Sequence, residues 1–194
     1  MSSDYPLEIE GDEIRLRDFK LSDVADALEI VCDDAVTRWL SFDSRTAQQA
    51  EQMLADAISR AQLVPRTEYY LAVTLPRRDR MIGFARLGLT GHSAAKLGYA
   101  IKASEWGHGY ATLATRELVR FGFTTLGLHR ISAAVGPDNA PSLAVVKKLG
   151  FVLESRLRDH VFTNGAWRDS VLYSLLEHEW ASSVYSEAAV PLTS

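Results

Sequence analysis

The chain has 194 residues and a mass of 21.5 kDa, and its 47% hydrophobic and 24% charged residues exclude a mainly disordered, collagenous or heptad-repeat protein. With 21 Lys and Arg against 25 Asp and Glu, the net charge of −4 offers no global attraction to phosphate backbones, so nucleic acid is not expected as a partner. The single cysteine, Cys32, excludes an internal disulfide and points to a reducing, cytoplasmic setting; no apolar run is long enough to cross a membrane, and the N-terminus lacks a basic leader.

Taken in chain order, residues 1–12 read as an N-terminal extension. Ile14 and Leu16 then alternate in a short strand within Glu13 to Phe19, and Ser22 opens a helical pattern through Val24, Leu28 and Val31. Thr46 and Gln49 form a capping-box pattern ahead of Ala50, Met53, Leu54, Ala57 and Ile58, which share one helix face. Tyr69 to Leu75 and Met81 to Thr90 are β-rich around a charged turn at Pro76 to Arg80, which predicts a hairpin. A loop at Gly91 to Ala95 leads to the apolar run Leu97 to Ile101. A glycine-bearing loop follows, and then a helix from about Tyr110 to Leu126 with Gly127 as its C-cap.

Arg130 to Val135 is again a strand, and Asn139-Ala140-Pro141-Ser142 starts a helix that stops at Gly150. A last hairpin, Arg156 to Phe162 and Trp167 to Leu175, turns at Asn164-Gly165. Residues 13–180 therefore read as one domain, a mixed sheet flanked by helices of the α+β or α/β class, with residues 181–194 as a loose tail.

Chemistry concentrates in Ser104-Glu105-Trp106-Gly107-His108-Gly109-Tyr110-Ala111-Thr112, between a strand and a helix. Closely spaced glycines there let backbone N–H groups point one way, and the first helical turn adds unpaired donors and the positive end of its dipole, a suitable seat for a pyrophosphate. The spacing matches neither the dinucleotide fingerprint nor the P-loop. A second element, Asn139-Ala140-Pro141-Ser142 with Lys147-Lys148-Leu149-Gly150-Phe151, follows thirty residues on.

With these two elements the chain resembles the Gcn5-related N-acetyltransferase superfamily, and within it the branch of ribosomal-protein N-alpha-acetyltransferases. The pyrophosphate motif Arg/Gln-x-x-Gly-x-Gly/Ala is matched by Trp106 to Ala111, with Trp106 departing at the Arg/Gln position, and Gly98-Tyr99-Ala100-Ile101 precedes it as in the family. The resemblance spans about Ile14 to Trp180. It implies a mostly antiparallel twisted sheet with a V-shaped opening between two parallel central strands, and acetyl-CoA as co-substrate with no metal.

On that resemblance the cofactor would be held by Tyr99, Ala100, Ile101, Trp106, Gly107, His108, Gly109, Tyr110, Ala111, Thr112, Asn139, Ser142 and Lys148. Asn139 has two uses open to it, a helix N-cap or a bond to the pantetheine amides. Ser142 is either a first-turn serine or an aid to the departing sulfur, and Lys147 and Lys148 either suit the helix dipole or meet the nucleotide phosphates. Lys96 stands where family members of this type can carry a Glu, so the base is sought among Glu105, Glu154, Asp159 and His160, with Glu105 placed beside Ser142 as a catalytic candidate. No histidine spacing suggests a metal site and no Gly-x-Ser-x-Gly elbow suggests a hydrolase.

The expected reaction is transfer of an acetyl group from acetyl-CoA to a primary amine, foremost the N-terminal α-amine of a protein or peptide. The alternatives are a small-molecule amine such as an antibiotic or polyamine, and a non-catalytic acyl-CoA-binding module. The acceptor groove would be built from Asp33 to Ser44 and the terminal hairpin, with Asp33, Asp34 and Asp43 able to attract cations. The expected assembly is a monomer or homodimer.

Overall fold

In the computed structural model, which describes residues 5–181, the strands are β1 (Glu8–Glu10), β2 (Arg15–Arg17), β3 (Glu68–Leu75), β4 (Arg78–Leu89), β5 (Ala94–Ile101), β6 (Arg130–Val135), β7 (Val152–Thr163) and β8 (Ala166–Leu176). The helices are α1 (Val24–Val31), α2 (Asp34–Thr37), α3 (Ala47–Ala61), α4 (Tyr110–Thr124) and α5 (Ala140–Lys148). One eight-stranded sheet takes all the strands in the order β1-β2-β3-β4-β5-β6-β8-β7. Every neighbouring pair is antiparallel except β5 and β6, which α4 connects as the crossover that parallel strands require.

The β5–β6 ladder holds only from Ala94↔Arg130 to Lys96↔Ser132, after which both strands run on without pairing to one another. This is the V-shaped opening that the family resemblance implies.

Helices cover both faces of the central sheet, so β3 is buried almost throughout. Leu71 and Val73 join Leu87, Ile131, Leu118 and Val146 in the core beneath α4 and α5. The intervening Tyr70 and Ala72 join Phe84, Ala100, Ile30 and Leu54 beneath α1 and α3. The capping box reads as the sequence predicts, with Gln49 N–H donating to Thr46 Oγ1 at 3.3 Å and Thr46 N–H donating to Gln49 Oε1 at 2.9 Å. The last hairpin turns at Asn164 (φ 52°) and Gly165 (φ 73°), both left-handed as its two-residue turn demands.

Four features differ from the sequence reading. Residues 8–10 of the expected extension form the edge strand β1, with Ile9 opposite Leu16 and buried, and Asp18 accepting from Leu7 N–H at 2.7 Å. The charged turn is only Pro76-Arg77, because Arg78 to Arg80 are already in β4, where Asp79 accepts from Arg15, Arg17 and Lys20. Those partners, Lys20 and then Arg17, hold the Asp79 carboxyl down to about 2. Ala94 and Ala95 belong to β5 and carry most of its pairing to β6, and the short helix α2 gave no periodic signal because it has one turn.

Of the expected tail, Ala181 ends a helical segment that begins at 177, and 182–194 lie outside the described residues, as do 1–4 of the extension. Among the described residues no helix is long and apolar enough to cross a membrane.

Gly83 sets how closely β4 lies on β5: a Cβ there would sit 2.4 Å from the Ala100 carbonyl oxygen and 2.6 Å from Ile101 Cδ1. Backbone must move to admit it, so Gly83→Ala is expected to destabilise the fold by about 1–3 kcal/mol, read as a lowered urea midpoint at unchanged slope.

Candidate active site

The splay of β5 from β6 opens a cleft of about 930 Å³. One half is lined by the free edge of β5, the loop into α4 and the start of α5. The other is lined by Val36 and 38–41, by Arg86 and Lys96, and by Leu157, His160 and Ser170 of the β7–β8 hairpin.

The chain leaves β5 at Ile101, makes a 3-10 turn over Ala103–Glu105 and enters α4 through Trp106 to Gly109. Gly107 (φ 83°) and Gly109 (φ 80°) are both left-handed, and a Cβ on either would meet nothing within 4 Å, so it is backbone conformation that requires glycine there. Among the described residues the N–H groups of Gly107 to Ala111 find no acceptor. Thr112 N–H is already bonded to the Gly109 carbonyl at 2.9 Å. A run of free donors therefore stands at the positive end of a fifteen-residue helix.

Trp106 uses its indole N–H to bond the Ile101 carbonyl at 2.8 Å, fastening the loop to the end of β5. His108 stacks on Tyr110 at 5.4 Å with Nδ1 3.3 Å from the Glu105 carbonyl, and it is not among the lining residues.

Across the opening, Asn139 caps α5, its Oδ1 accepting from Ser142 N–H at 3.2 Å. The cap uses only the amide oxygen and leaves the NH₂ group for a ligand. Ser142 Oγ lies 2.7 Å from the Tyr99 hydroxyl, which also reaches the Ser142 carbonyl at 3.3 Å. Burial pushes the Tyr99 phenol up to about 12 against the opposing pull of the Ser142 hydrogen bond, so it stays a proton donor across the neutral range. The resemblance places both residues at the cofactor, but no local signal in the sequence marks the bond between them, because they are 43 residues apart. Lys147 and Lys148 sit in the last turn of α5, exposed and outside the cleft lining.

The four base candidates separate. Glu154 is taken by Arg130 (2.7 Å and 2.5 Å) and by the Ser174 hydroxyl (2.7 Å), which hold it down to about 2. Asp159 does not line the cleft, and its own N–H is bonded to Asp169. Glu105 and His160 do line it, His160 with Nδ1 3.0 Å from Ser170 Oγ.

The acidic residues expected to border the acceptor side, Asp33, Asp34 and Asp43, are not among the residues that line the cleft. Asp33 caps α2 through Ala35 N–H, Asp34 accepts from the Ser44 hydroxyl and Asp43 from Asn164 N–H, so all three serve the chain's own donors. The groove wall that does face the cleft, Arg38 to Ser41, is tied to the terminal hairpin by Arg168, which donates to the carbonyls of Arg38 and Leu40. Among the described residues no three His, Cys, Asp or Glu side chains converge as metal ligands would.

CoA binding is expected to depend on the loop in a way two substitutions separate. Gly109→Ala adds only the cost of a left-handed residue, about 1–2 kcal/mol, whereas Gly109→Asp also sets a carboxylate before the donors. Calorimetry should show CoA affinity at least about tenfold weaker in the Asp variant than in the Ala variant, since like charges repel; equal affinities would remove the pyrophosphate from this loop.

The acetyltransferase (GNAT) domain model matches residues 13–152. The chain is 28% identical over 172 residues to an uncharacterized N-acetyltransferase p20 of Bacillus licheniformis, covering 88% of this chain and 96% of that protein. It is 30% identical over 179 residues to an uncharacterized N-acetyltransferase, YoaA, of Bacillus subtilis, covering 89% and 98%. The crystal structure of Mycobacterium smegmatis RimJ in complex with CoA-disulfide superposes with a TM-score of 0.79 at 25% identity, over 95% of this chain and 98% of that one. Shorter matches reach two Escherichia coli enzymes that differ in acceptor: the ribosomal protein uS5-alanine N-acetyltransferase, 30% identical over 58% of this chain and 59% of that protein, and spermidine N(1)-acetyltransferase, 29% identical over 46% and 48%. The splayed parallel pair, the free amides ahead of α4 and the extent of these matches lead to one conclusion: the chain belongs to the GNAT acetyltransferase family.

Proposed function

We propose that this acetyl-CoA-dependent N-acetyltransferase acts on the N-terminal α-amine of a protein or peptide. The observation that carries the reading is the make-up of the cleft, in which a half-buried hydroxyl pair, Tyr99 and Ser142, meets few groups able to take a proton. Glu154 is committed to Arg130 and Ser174, and Asp159 does not line the cleft. That leaves Glu105 and His160, both partly or fully exposed, to accept the amine proton directly or through water. Weak assistance of this kind suits an α-amine, with a reference pKa of about 8, better than a lysine at about 10.4. The similarity to the uS5-alanine enzyme supports a protein acceptor.

Acetyl-CoA, when bound, supplies an acetyl thioester whose acyl group passes to the amine. The chain's own part is to hold and to donate. The N–H groups of Gly107 to Ala111 hold the pyrophosphate, and the edge of β5 from Leu97 to Ile101, which has no strand partner toward β6, offers amides along the pantetheine. The Asn139 NH₂ adds a donor at the start of α5. Tyr99 and Ser142 form one proton-donating unit for the departing sulfur; because a thiol pKa near 8.5 already makes thiolate a tolerable leaving group, the unit assists the reaction without being indispensable.

A small-amine acceptor is the second reading, favoured by the spermidine N(1)-acetyltransferase match. Rates with a free-N-terminus peptide, the same peptide N-terminally blocked but containing lysine, and a panel of polyamines and aminoglycosides decide between them. The free peptide should be best; a better blocked peptide overturns the α-amine argument, and turnover of the small amines alone selects the second reading.

Ser142→Ala and Tyr99→Phe should each lower kcat by roughly 10- to 100-fold, at or below the low end for a proton-transfer group, with little change in CoA affinity. Because the two hydroxyls act through one hydrogen bond, the double variant should fall little below either single one. Multiplying losses would show that they act separately.

A further inference from the structure

We propose that the acceptor carries a carboxylate close to its reacting amine, in the form of a peptide with Asp or Glu at its second or third residue, and that Lys96 and Arg38 read that charge. The proposal rests on the peptide-acetyltransferase reading and adds a charge requirement to it.

It follows from which charges on the acceptor half of the cleft are already compensated. Arg86 is paired with Glu68, which also holds Arg60 at 2.7 Å, and Arg130 is paired with Glu154. Lys96 and Arg38 have no carboxylate within 4 Å among the described residues. Arg38 lies over the Trp39 ring at 4.9 Å, a contact that orients the guanidinium and leaves its charge in place.

Lys96 is exposed at the point where β5 and β6 stop pairing. Alternation along β5 sets it on the face of Gly98 and Ala100, opposite Tyr99, and three strand residues, roughly 10 Å, separate it from Tyr99 along the chain. The hydroxyl pair and the ammonium thus flank the mouth of the opening from its two sides. Asp33, Asp34 and Asp43 are not among the residues lining the cleft; Glu105 is the one carboxylate among the described lining residues, and it belongs to the loop before α4.

The acceptor half is therefore cationic although the whole chain is at −4. A cleft with one sign of charge concentrates the opposite one, so it attracts a carboxylate and repels a polyamine.

The test compares free-N-terminus peptides identical except for Glu, Gln or Lys at the second residue, together with free glutamate and spermidine. In the wild type kcat/KM should run Glu over Gln over Lys, with about tenfold or more between Glu and Lys, carried mainly by KM and narrowed by added salt. Lys96→Gln and Arg38→Gln should each shrink that ratio, and Lys96→Arg should keep it. Calorimetry on the CoA-loaded protein with the N-acetylated forms of the three peptides reads the same preference without turnover. A Lys peptide equal to or better than the Glu peptide, or a ratio unchanged in both Gln variants, overturns the proposal while leaving N-terminal acetylation standing. Glutamate turned over in place of every peptide would keep the charge requirement and overturn the peptide; spermidine as the best substrate would overturn both.

Discussion

Three paired residues of β5 and β6 decide what the rest of the molecule can do. Beyond Lys96↔Ser132 the two strands diverge, and their facing edges carry backbone donors and acceptors that no other strand satisfies. Such edges are costly to bury and hazardous to expose. Here they line a cleft into which the starts of α4 and α5 also open, so unpaired strand edges and unpaired helix amides are gathered in one place. A ligand rich in amides and phosphate complements both kinds of group. The two left-handed glycines follow from the same constraint, because the chain must turn from β5 into α4 within a few residues and keep its amides facing outward.

The charged residues divide between holding the sheet and shaping the cleft. Far from the opening, Arg17 with Asp23 and Arg66 with Asp18 form buried pairs that join β2 to its neighbours, and Asp79 gathers three cations at the start of β4. Nearer the cleft, Glu68 and Glu154 neutralise Arg86 and Arg130, while Arg168 and Asp43 clamp 38–43 to the terminal hairpin. The acceptor wall is thus rigidly attached to β7 and β8, and the cations left over are few and well placed. Local charge in the cleft has the opposite sign to the chain as a whole, because folding brings Arg38, Arg86 and Lys96 to its lining against the single carboxylate Glu105.

Much of the architecture is written in short-range chemistry. The Thr46 and Gln49 capping box, the Asn164-Gly165 turn, the strand Arg130 to Val135 and the proline in the first turn of α5 stand where local rules place them, since each is settled by residues within a few positions of one another. Three segments were misread where short-range rules give out. Arg78 to Arg80 look like a turn because they are charged, yet they begin β4, where Asp79 is held by Arg15, Arg17 and Lys20, and Arg80 by Asp26 and Glu29. Ala94 and Ala95 look like loop because they are small, yet they form the parallel ladder. Residues 8–10 alternate too briefly to register as a strand until β2 supplies their partner.

The glycine loop, the Asn139 to Ser142 helix start and their order along the chain were sufficient in the sequence to identify the family, because glycine spacing and helix caps are local requirements of the backbone. The meeting of Tyr99 with Ser142, the withdrawal of Glu154 and the three acceptor-side aspartates into internal hydrogen bonds, and the two cations left at the acceptor wall were decided by the tertiary structure alone. A hydroxyl or a carboxylate has the same chemistry wherever it stands in a sequence; whether it is free to act depends on the donors and acceptors that folding brings within about 3 Å of it.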